Sequence, residues 1–328
     1  MLRSYMCRSD RLVPVEASSA ALDDQSVVWF DLFNPTPEED RLVEERLGVS
    51  VPTRDEMEEI ELSARLYHEG GADYMTMTAV TKLDTDEPVK TPITFILKGS
   101  SLVTVRYLEP RPFAMFAARA QRPGGLLCAN GEQVMAGLLE ATVDRIADTL
   151  ETVGTEVDVL SREVFRSKTS NVTKKTRDLR SIIEQIGRKG DFLTMISESL
   201  VSIARHVAYY SALDTPDHRM NKDARQRAKL VQRDVAFLSD HATFLSSKIT
   251  FLLDATLGLI NLEQSQTIKI FSVAAVVFLP PTLVASIYGM NFEFMPELHW
   301  LAGYPFALGL MLLSAALPYL YFKRRGWL

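Results

Sequence analysis

The first 130 residues alternate short apolar runs with turn residues, a pattern typical of an α/β domain. Strand patterns occupy residues 27–32, 74–80, 93–97 and 102–105. The last two runs flank a Lys-Gly-Ser-Ser turn, as the two arms of a hairpin do. Asn34-Pro35-Thr36-Pro37-Glu38-Glu39 is a helix-start signal, and the helix runs through Leu47 to a stop at Gly48. We therefore predict that residues 1–130 form an α/β domain.

Beyond Arg111 the strand patterns end, and the sequence predicts three long helices. Residues 131–267 are predicted to form the long cytosolic helices, including a stalk, and the third helix continues past residue 267. The first covers residues 133–167, which contain no proline, and the second runs from 171 to 212. The third follows the turn at 214–217 and meets no proline before Pro280. If it extends from 217 to 288, it is about 110 Å long at about 1.5 Å per residue. That is far longer than the roughly 30 Å core of a bilayer, so this stalk helix must project out of any membrane it enters.

Apolar residues recur along the third helix at alternating spacings of four and three, which indicates a packed helical seam. The seam consists of Val231, Val235, Leu238, Ala242, Leu245, Ile249, Leu252, Thr256 and Leu259. Two arrangements fit this periodicity equally well. The seam packs either against copies of itself in other subunits or against the other helices of its own subunit.

The last quarter of the chain has the composition of a membrane segment. Between residues 270 and 322 the only charged side chains are Glu293 and Glu297, although 24% of the whole chain is charged. The sequence predicts a first transmembrane pore helix over 268–288, an outer periplasmic loop over 289–303, a second transmembrane helix over 304–322 and a basic tail over 323–328. Lys269 and the Lys323-Arg324-Arg325 run flank the hairpin, whereas the loop has no Lys or Arg, so both termini are predicted to be cytosolic.

Charge and cysteine content exclude several classes of protein. A net charge of −6 gives no electrostatic footprint for nucleic acid. Cys7 and Cys128 have no Cys/His ligand spacing around them, which argues against a disulfide framework or a zinc site. No phosphate-binding glycine loop, nucleophile elbow or catalytic cysteine signature occurs, so we expect neither an enzyme, nor an ATP-driven pump, nor an organic cofactor.

A polar stripe on the first span is the candidate lining of an ion path. Two spans per chain cannot enclose a hydrated path, so a homo-oligomer in the lipid bilayer is implied. The predicted pore-lining residues repeat at helical spacing and are Ser265, Ile268, Phe271, Ala275, Leu279, Thr282 and Ser286. The stripe carries no full charge, so a cation passing it must keep its water.

Tyr288-Gly289-Met290-Asn291 ends the first span and is the candidate filter. Mg²⁺ dehydrates reluctantly, so a ring of neutral amide oxygens that contacts its hydration water suits it better than bare carboxylates. Asn291 can supply that oxygen, and symmetry would multiply it into a ring. Glu293 and Glu297 would raise the cation concentration at the mouth. The alternative is that Gly-Met-Asn is only a helix cap and turn.

Residues 288–298, Tyr-Gly-Met-Asn-Phe-Glu-Phe-Met-Pro-Glu-Leu, closely resemble the outer loop of the CorA-type magnesium/cobalt transporters. These are the two-transmembrane, Gly-Met-Asn metal ion transporters. The resemblance extends over residues 260–328 and includes the runs at 268–273, 278–286 and 321–328. Upstream, the likeness is one of architecture.

This resemblance implies a homopentameric funnel in the bacterial cell inner membrane, made of an α/β cytosolic domain, a long stalk helix and a two-helix transmembrane hairpin. It assigns the selectivity filter to Asn291, which binds Mg²⁺ through hydration water, with Gly289 and Met290 holding the ring. The implied hydrophobic constriction consists of Ile268, Phe271, Ala275 and Leu279. Thr282 takes the place of a mid-pore hydroxyl, Ser286 that of a small lining residue, and Ser265 stands where relatives often carry asparagine.

The resemblance also implies that cytosolic Mg²⁺ closes the pore by occupying acidic sites between subunits. The candidates are Asp84, Asp86 and Glu87, or acids near Asp234. Mg²⁺ is then both substrate and regulatory ligand, with Co²⁺ and Ni²⁺ as secondary ions. The competing interpretations are a Zn²⁺ transporter of the same superfamily and a membrane-anchored sensor or scaffold whose hairpin is only a tether.

Overall fold

The computed structural model describes residues 1–9, 11–15, 27–85, 87–122, 128–166, 172–213, 222–291 and 300–326. The chain divides into two compact units. The first contains Met1–Phe165 and Glu184–Leu252, and the second contains Arg166–Ile183 and Leu253–Leu328.

The described part of the first unit contains a seven-stranded sheet in the order β2-β1-β3-β7-β6-β5-β4. The strands are β1 (Leu2–Arg8), β2 (Arg11–Val15), β3 (Val27–Phe33), β4 (Leu66–Glu69), β5 (Ala72–Thr81), β6 (Val89–Lys98) and β7 (Ser101–Arg106). Only β3 and β7 run parallel among these pairs; all other neighbours are antiparallel. The four predicted strand segments are confirmed as parts of β3, β5, β6 and β7.

The helices are α1 (Pro37–Leu47), α2 (Arg54–Glu58), α3 (Leu62–Arg65), α4 (Arg111–Ala120), α5 (Gly131–Arg166), α6 (Val172–Ala212), α7 (Lys222–Tyr288) and α8 (Gly303–Arg324). The predicted start of α1 is confirmed: Thr36 and Glu39 form a reciprocal capping box, and Gly48 ends the helix with φ of 61°. The predicted long helices correspond to α5, α6 and α7. The predicted α7 start at 217 falls outside the described residues.

A buried ion pair lies at the centre of the sheet. The Arg106 guanidinium donates from Nε to Asp31 Oδ1 at 2.9 Å and from the terminal NH2 to Asp31 Oδ2 at 2.8 Å. Thr104 Oγ1 also donates to Asp31 Oδ1, and Trp29 Nε1 donates to Thr104 Oγ1, both at 2.9 Å. The guanidinium further covers the Phe33 ring at 4.6 Å. β3 and β7, which are parallel neighbours, are thus joined by charge as well as by their ladder.

Helix α6 covers part of the open edge of β5. The Thr78 amide donates to Ser202 Oγ at 2.9 Å, and Ser199 Oγ donates to the Thr78 carbonyl at 2.8 Å. One helix turn farther along, His206 is fully buried and meets the Phe95 ring edge-on at 5.0 Å. In the described part of the chain neither His206 ring nitrogen has a hydrogen-bond partner. Burial lowers the pKa of His206 to about 3.

Two contacts fix α5 and α7 within the first unit. Gly131 begins α5 so close to β7 that a Cβ there would lie 2.5 Å from the Leu102 amide nitrogen. Arg227, on α7, donates from Nε and NH2 to the Glu140 carboxylate at 2.8 and 2.6 Å. This bidentate pair joins the start of α7 to α5.

The seam of α7 packs within its own subunit. Its members from Val231 to Leu252, spaced four and three apart, are at most 7% exposed in a single chain. A Cβ on Gly154 of α5 would lie 3.8 Å from Leu245, and one on Gly190 of α6 would lie 3.6 Å from Ile249. Of the two arrangements allowed by the periodicity, the intrasubunit one is therefore present.

Candidate functional site

The candidate filter follows directly on the last turn of α7. The Gly289 amide donates to the Ala285 carbonyl at 2.9 Å, and the Met290 amide donates to the Ile287 carbonyl at 3.2 Å. Gly289 does not adopt a left-handed conformation, so the left-handed glycine cap is absent at this helix end. A Cβ on Gly289 would lie 3.1 Å from the Ala285 carbonyl oxygen, which is a tight contact. Glycine thus lets the chain leave the helix close to its own backbone.

Asn291 is the third residue after α7 ends at Tyr288, and its side chain is exposed. Met290 is 47% exposed. The predicted ion-attracting residues Glu293 and Glu297 lie outside the described residues.

Helices α7 and α8 are both long and apolar enough to cross a membrane, judged by length and composition. Within the second unit, Val273 of α7 and Gly303 and Ala307 of α8 are buried, whereas most other side chains of both spans are exposed. An exposed apolar surface of this extent matches a hydrocarbon solvent or a partner helix rather than water.

All seven predicted pore-lining residues are exposed in the single chain: Ser265, Ile268, Phe271, Ala275, Leu279, Thr282 and Ser286. Ile268, Phe271 and Leu279 are 64%, 72% and 65% exposed. The structure therefore leaves the whole stripe available to groups outside the chain. Apolar residues elsewhere on the span are equally exposed, for example Phe278 at 70%, so the polar members distinguish the stripe.

Thr282 has a defined hydroxyl orientation. Its Oγ1 donates to the Phe278 carbonyl at 2.8 Å, one turn back along the helix. Because the hydroxyl hydrogen is used inside the helix, the lone pairs of the oxygen remain as acceptors. Water bound to a cation points its hydrogens outward, so this hydroxyl suits the outer surface of a hydrated ion.

The proposed regulatory acids fall into two different environments. Asp84 is ion-paired with Arg111 at 2.9 Å and, through its other carboxylate oxygen, with Arg145. The hydrogen bond from Arg145 is the main cause that lowers the pKa of Asp84. Both oxygens are thus occupied by guanidinium groups. Glu87 is exposed, and Asp86 lies outside the described residues.

The acids near Asp234 form a contrasting group. Burial, and then the carboxylates of Glu140, Asp148 and Asp234, raise the pKa of Asp144. Carboxylates of α5 and α7 therefore lie near one another, while Arg227 pairs with Glu140 and Arg233 contacts Asp234 at 3.7 Å. Sequence reasoning missed Asp144 and Asp148, although their spacing of four on α5 signals a shared helix face. No group of three or more His, Cys, Asp or Glu side chains that could hold a metal ion occurs among the described residues.

Comparison with known proteins identifies the family to which the chain belongs. The family model described as "CorA-like Mg2+ transporter protein" matches residues 24–324. The magnesium transport protein CorA of Salmonella typhimurium is 34% identical over 330 residues, which cover 100% of both chains.

Solved structures agree with this assignment at the level of the fold. The complete structure of the CorA magnesium transporter from Methanocaldococcus jannaschii has a TM-score of 0.80 at 18% identity, covering 100% of this chain and 99% of that one. The cytoplasmic domain of ZntB from Vibrio parahaemolyticus has a TM-score of 0.56 at 10% identity, covering 79% and 97%. With a matching family model over nearly the whole length and a full-length relative at 34% identity, the chain belongs to the CorA-like Mg²⁺ transporter family.

Proposed function

We propose that the protein is a passive uptake channel for hydrated Mg²⁺, driven by the membrane potential, in the bacterial inner membrane. The observation that carries this proposal is the full-length match to CorA-like Mg²⁺ transporters. The chain also has two candidate spans, and the first of them ends at Tyr-Gly-Met-Asn. A divalent ion moving inward gains roughly 4.6 kcal/mol per 100 mV, twice the single-charge value, which is an adequate driving force. Co²⁺ and Ni²⁺ are the secondary ions that we expect.

The pore in this proposal is formed by five copies, with the stripe from Ser265 to Ser286 on its inner surface. Each exposed Asn291 contributes an amide oxygen to a ring at the outer end. The absence of charge along the stripe favours an ion that keeps its first hydration shell. Thr282 supports this by offering lone pairs to water partway along the path.

Opening is controlled in this proposal by cytosolic Mg²⁺. Of the candidate acids, those near Asp234 fit this role better than Asp84 does. Asp84 already has two arginine partners, whereas burial, and then the carboxylates of Glu140, Asp148 and Asp234, raise the pKa of Asp144. A divalent cation bound there would relieve like-charge repulsion.

Transport measured in liposomes tests the proposal. The reconstituted protein should admit Mg²⁺ under an imposed inside-negative potential, and Asn291→Ala should lose most of that flux because the amide ring is gone. Gln232→Ala, which removes an exposed amide from the cytosolic part of α7, should transport normally.

The same assay separates the alternatives. Unchanged Mg²⁺ flux in Asn291→Ala would remove that residue from the filter. Entry of Zn²⁺ in preference to Mg²⁺ would favour a Zn²⁺ transporter of the same superfamily. No flux of either ion would favour a tethered sensor or scaffold. A cross-linking ladder that ends at five subunits supports the pore, and one that ends at two contradicts it.

A further inference from the structure

Side chains of α3, β5 and α6 meet at one edge of the sheet in the first unit, where β4 pairs with only the beginning of β5. Arg65, the last residue of α3, donates from Nε to the Glu59 carbonyl at 2.7 Å and from Nη1 to Thr78 Oγ1 at 3.2 Å. The Thr78 amide in turn donates to Ser202 Oγ at 2.9 Å. Arg205 follows Ser202 by three residues, which places it one turn farther along the same face of α6. These hydrogen bonds bring two guanidinium groups and two hydroxyl groups together.

The two arginines lie close enough to act on each other. Burial, and then the positive charge of Arg205, lower the pKa of Arg65. Within the part of the chain that the structure describes, neither arginine forms an ion pair with a carboxylate. Glu198, the acid nearest to Arg205 along α6, is already paired with Lys90 at 2.6 Å. Two like charges are therefore held near each other without an acidic partner among these residues.

The same groups also have hydrogen-bond donors to spare. A guanidinium has five N–H hydrogens, and the two bonds of Arg65 use two of them, so about three remain. Thr78 Oγ1 and Ser202 Oγ each accept a hydrogen bond, and among the described contacts neither hydroxyl donates one. The spare donors come from three elements of the fold. A ligand that suits this place must carry negative charge and several acceptor oxygens.

We infer that this cluster, the arginine site made of Arg65, Thr78, Ser202 and Arg205, binds the phosphate group of a small soluble ligand. Guanidinium groups bind phosphate through paired N–H donors, and phosphate accepts hydrogen bonds on tetrahedrally arranged oxygens. A carboxylate has only two oxygens in one plane, which fits donors that arrive from three elements less well. Arg205 is exposed and Arg65 is partly buried, so the site opens to water.

The two bonds of Arg65 prepare the site for an anion. They fix one guanidinium before the ligand arrives, so less side-chain freedom is lost on binding. A phosphate between the two arginines would also neutralise their mutual repulsion. Binding therefore joins α3, which contains only four residues, to the long helix α6. The ligand is free phosphate or a soluble phosphate monoester, since both present the same group.

Calorimetric titration of the full-length protein in detergent with inorganic phosphate tests this site. Divalent cations are left out of the buffer, and ionic strength is held constant with chloride. The parent should bind about one phosphate per chain with a dissociation constant on the order of 1 mM or below, since several charge-assisted hydrogen bonds form. Arg205→Gln should weaken binding by about tenfold or more, because one of the two charges is lost.

Two further variants make the titration specific. Arg65→Lys keeps the positive charge but lacks the planar fork that bonds Glu59 and Thr78 together, so it should also bind phosphate more weakly. Arg188→Gln is the matched control: it removes another exposed arginine of α6 that has no ion pair among the described residues. Its affinity for phosphate should equal that of the parent.

Thermal unfolding gives a second measurement that does not depend on heats of binding. Without phosphate, Arg205→Gln should unfold at the same temperature as the parent or slightly higher, because the repulsion on Arg65 is relieved. With phosphate at about ten times the dissociation constant, the unfolding temperature should rise in the parent and in Arg188→Gln, but not in Arg205→Gln.

The outcomes either support the arginine site or overturn it. Unchanged affinity in Arg205→Gln, equal weakening in Arg188→Gln, or no binding by the parent at concentrations well above millimolar overturns it. If phosphate binds as expected, competition by adenosine monophosphate at lower concentration identifies a phosphate ester as the ligand, and an absence of competition identifies free phosphate. None of these measurements involves transport, so the proposed function is judged separately by the liposome flux.

Discussion

The side chain of Arg106 in the sheet is 1% exposed, and that of its partner Asp31 is 2% exposed. Near the other end of the chain, Phe271 is 72% exposed and Leu279 is 65% exposed. The first unit buries charge and supplies it with partners, whereas the second displays apolar side chains and uses few polar ones. Exposed apolar side chains are unfavourable in water, and charged side chains are unfavourable in hydrocarbon. Each unit would therefore be destabilised in the solvent that suits the other unit. The buried, partnered charge of the first unit thus suits a water-soluble fold, and the exposed apolar side chains of the two candidate spans suit lipid.

The largest expected effect comes from removing one partner of the buried ion pair. Asp31→Ala leaves Arg106 buried without its carboxylate, and we expect the free energy of unfolding to fall by about 3–5 kcal/mol. Thermal or denaturant unfolding of the full chain in detergent measures this. Arg54→Ala breaks an exposed pair, with side chains 64% and 51% exposed, and should cost less than about 1 kcal/mol. Equal losses in the two variants would contradict the contrast drawn above.

A smaller effect is expected from acidification, through His206. Its pKa is lowered by burial to about 3 in the folded state, against about 6.5 in the unfolded chain. The unfolded state therefore binds a proton first as the pH falls, and the stability present above about pH 6.5 decreases progressively toward pH 3. At pH 5 the loss is about 2 kcal/mol.

The measurement compares unfolding free energies of the parent and His206→Phe between pH 7.5 and pH 5. The variant keeps an aromatic ring against Phe95 and has nothing to protonate, so its pH slope should be shallower. An unchanged slope would show that other groups cause the acid sensitivity.

The smallest effect on stability is expected in the second unit. Leu279→Ser replaces an exposed apolar residue of the first span, and the free energy of unfolding should change by no more than about 0.5 kcal/mol. Function should respond far more, because a polar ring at this level should leave the proposed constriction conducting when internal Mg²⁺ is high. Liposome flux at high and low internal Mg²⁺ checks this. A variant that still closes normally would remove Leu279 from the gate.

The sequence predicts an element when its apolar pattern lies in consecutive or regularly spaced residues. It does not predict features that depend on contacts between distant parts of the chain. The strands β3, β5, β6 and β7 and the long helices followed from periodicity, since each carries a repeating apolar pattern. β1, β2 and β4 were missed because they are short or mix charged residues with apolar ones, and only pairing with neighbours defines them. Asp31 and Arg106 are 75 residues apart, so no local pattern joins them.

The candidate site shows the same limit. The Tyr-Gly-Met-Asn motif could be recognised because its residues are consecutive and the family resemblance is specific, and its role as a filter stays a prediction. The surroundings of Asp84 and Asp144 could not be predicted, because their neighbours come from separate elements of the chain. Asp84 pairs with two arginines, whereas Asp144 lies near other carboxylates. The direction in which the seam faces also required the structure, since its periodicity is the same for a contact within or between subunits.

The hydroxyls of Ser199 and Ser202 have a consequence for how copies of the chain can join. By occupying the carbonyl and amide of Thr78, they remove the groups with which a foreign strand would have to bond at that point of β5. Sheet extension and strand exchange are thereby blocked at this position.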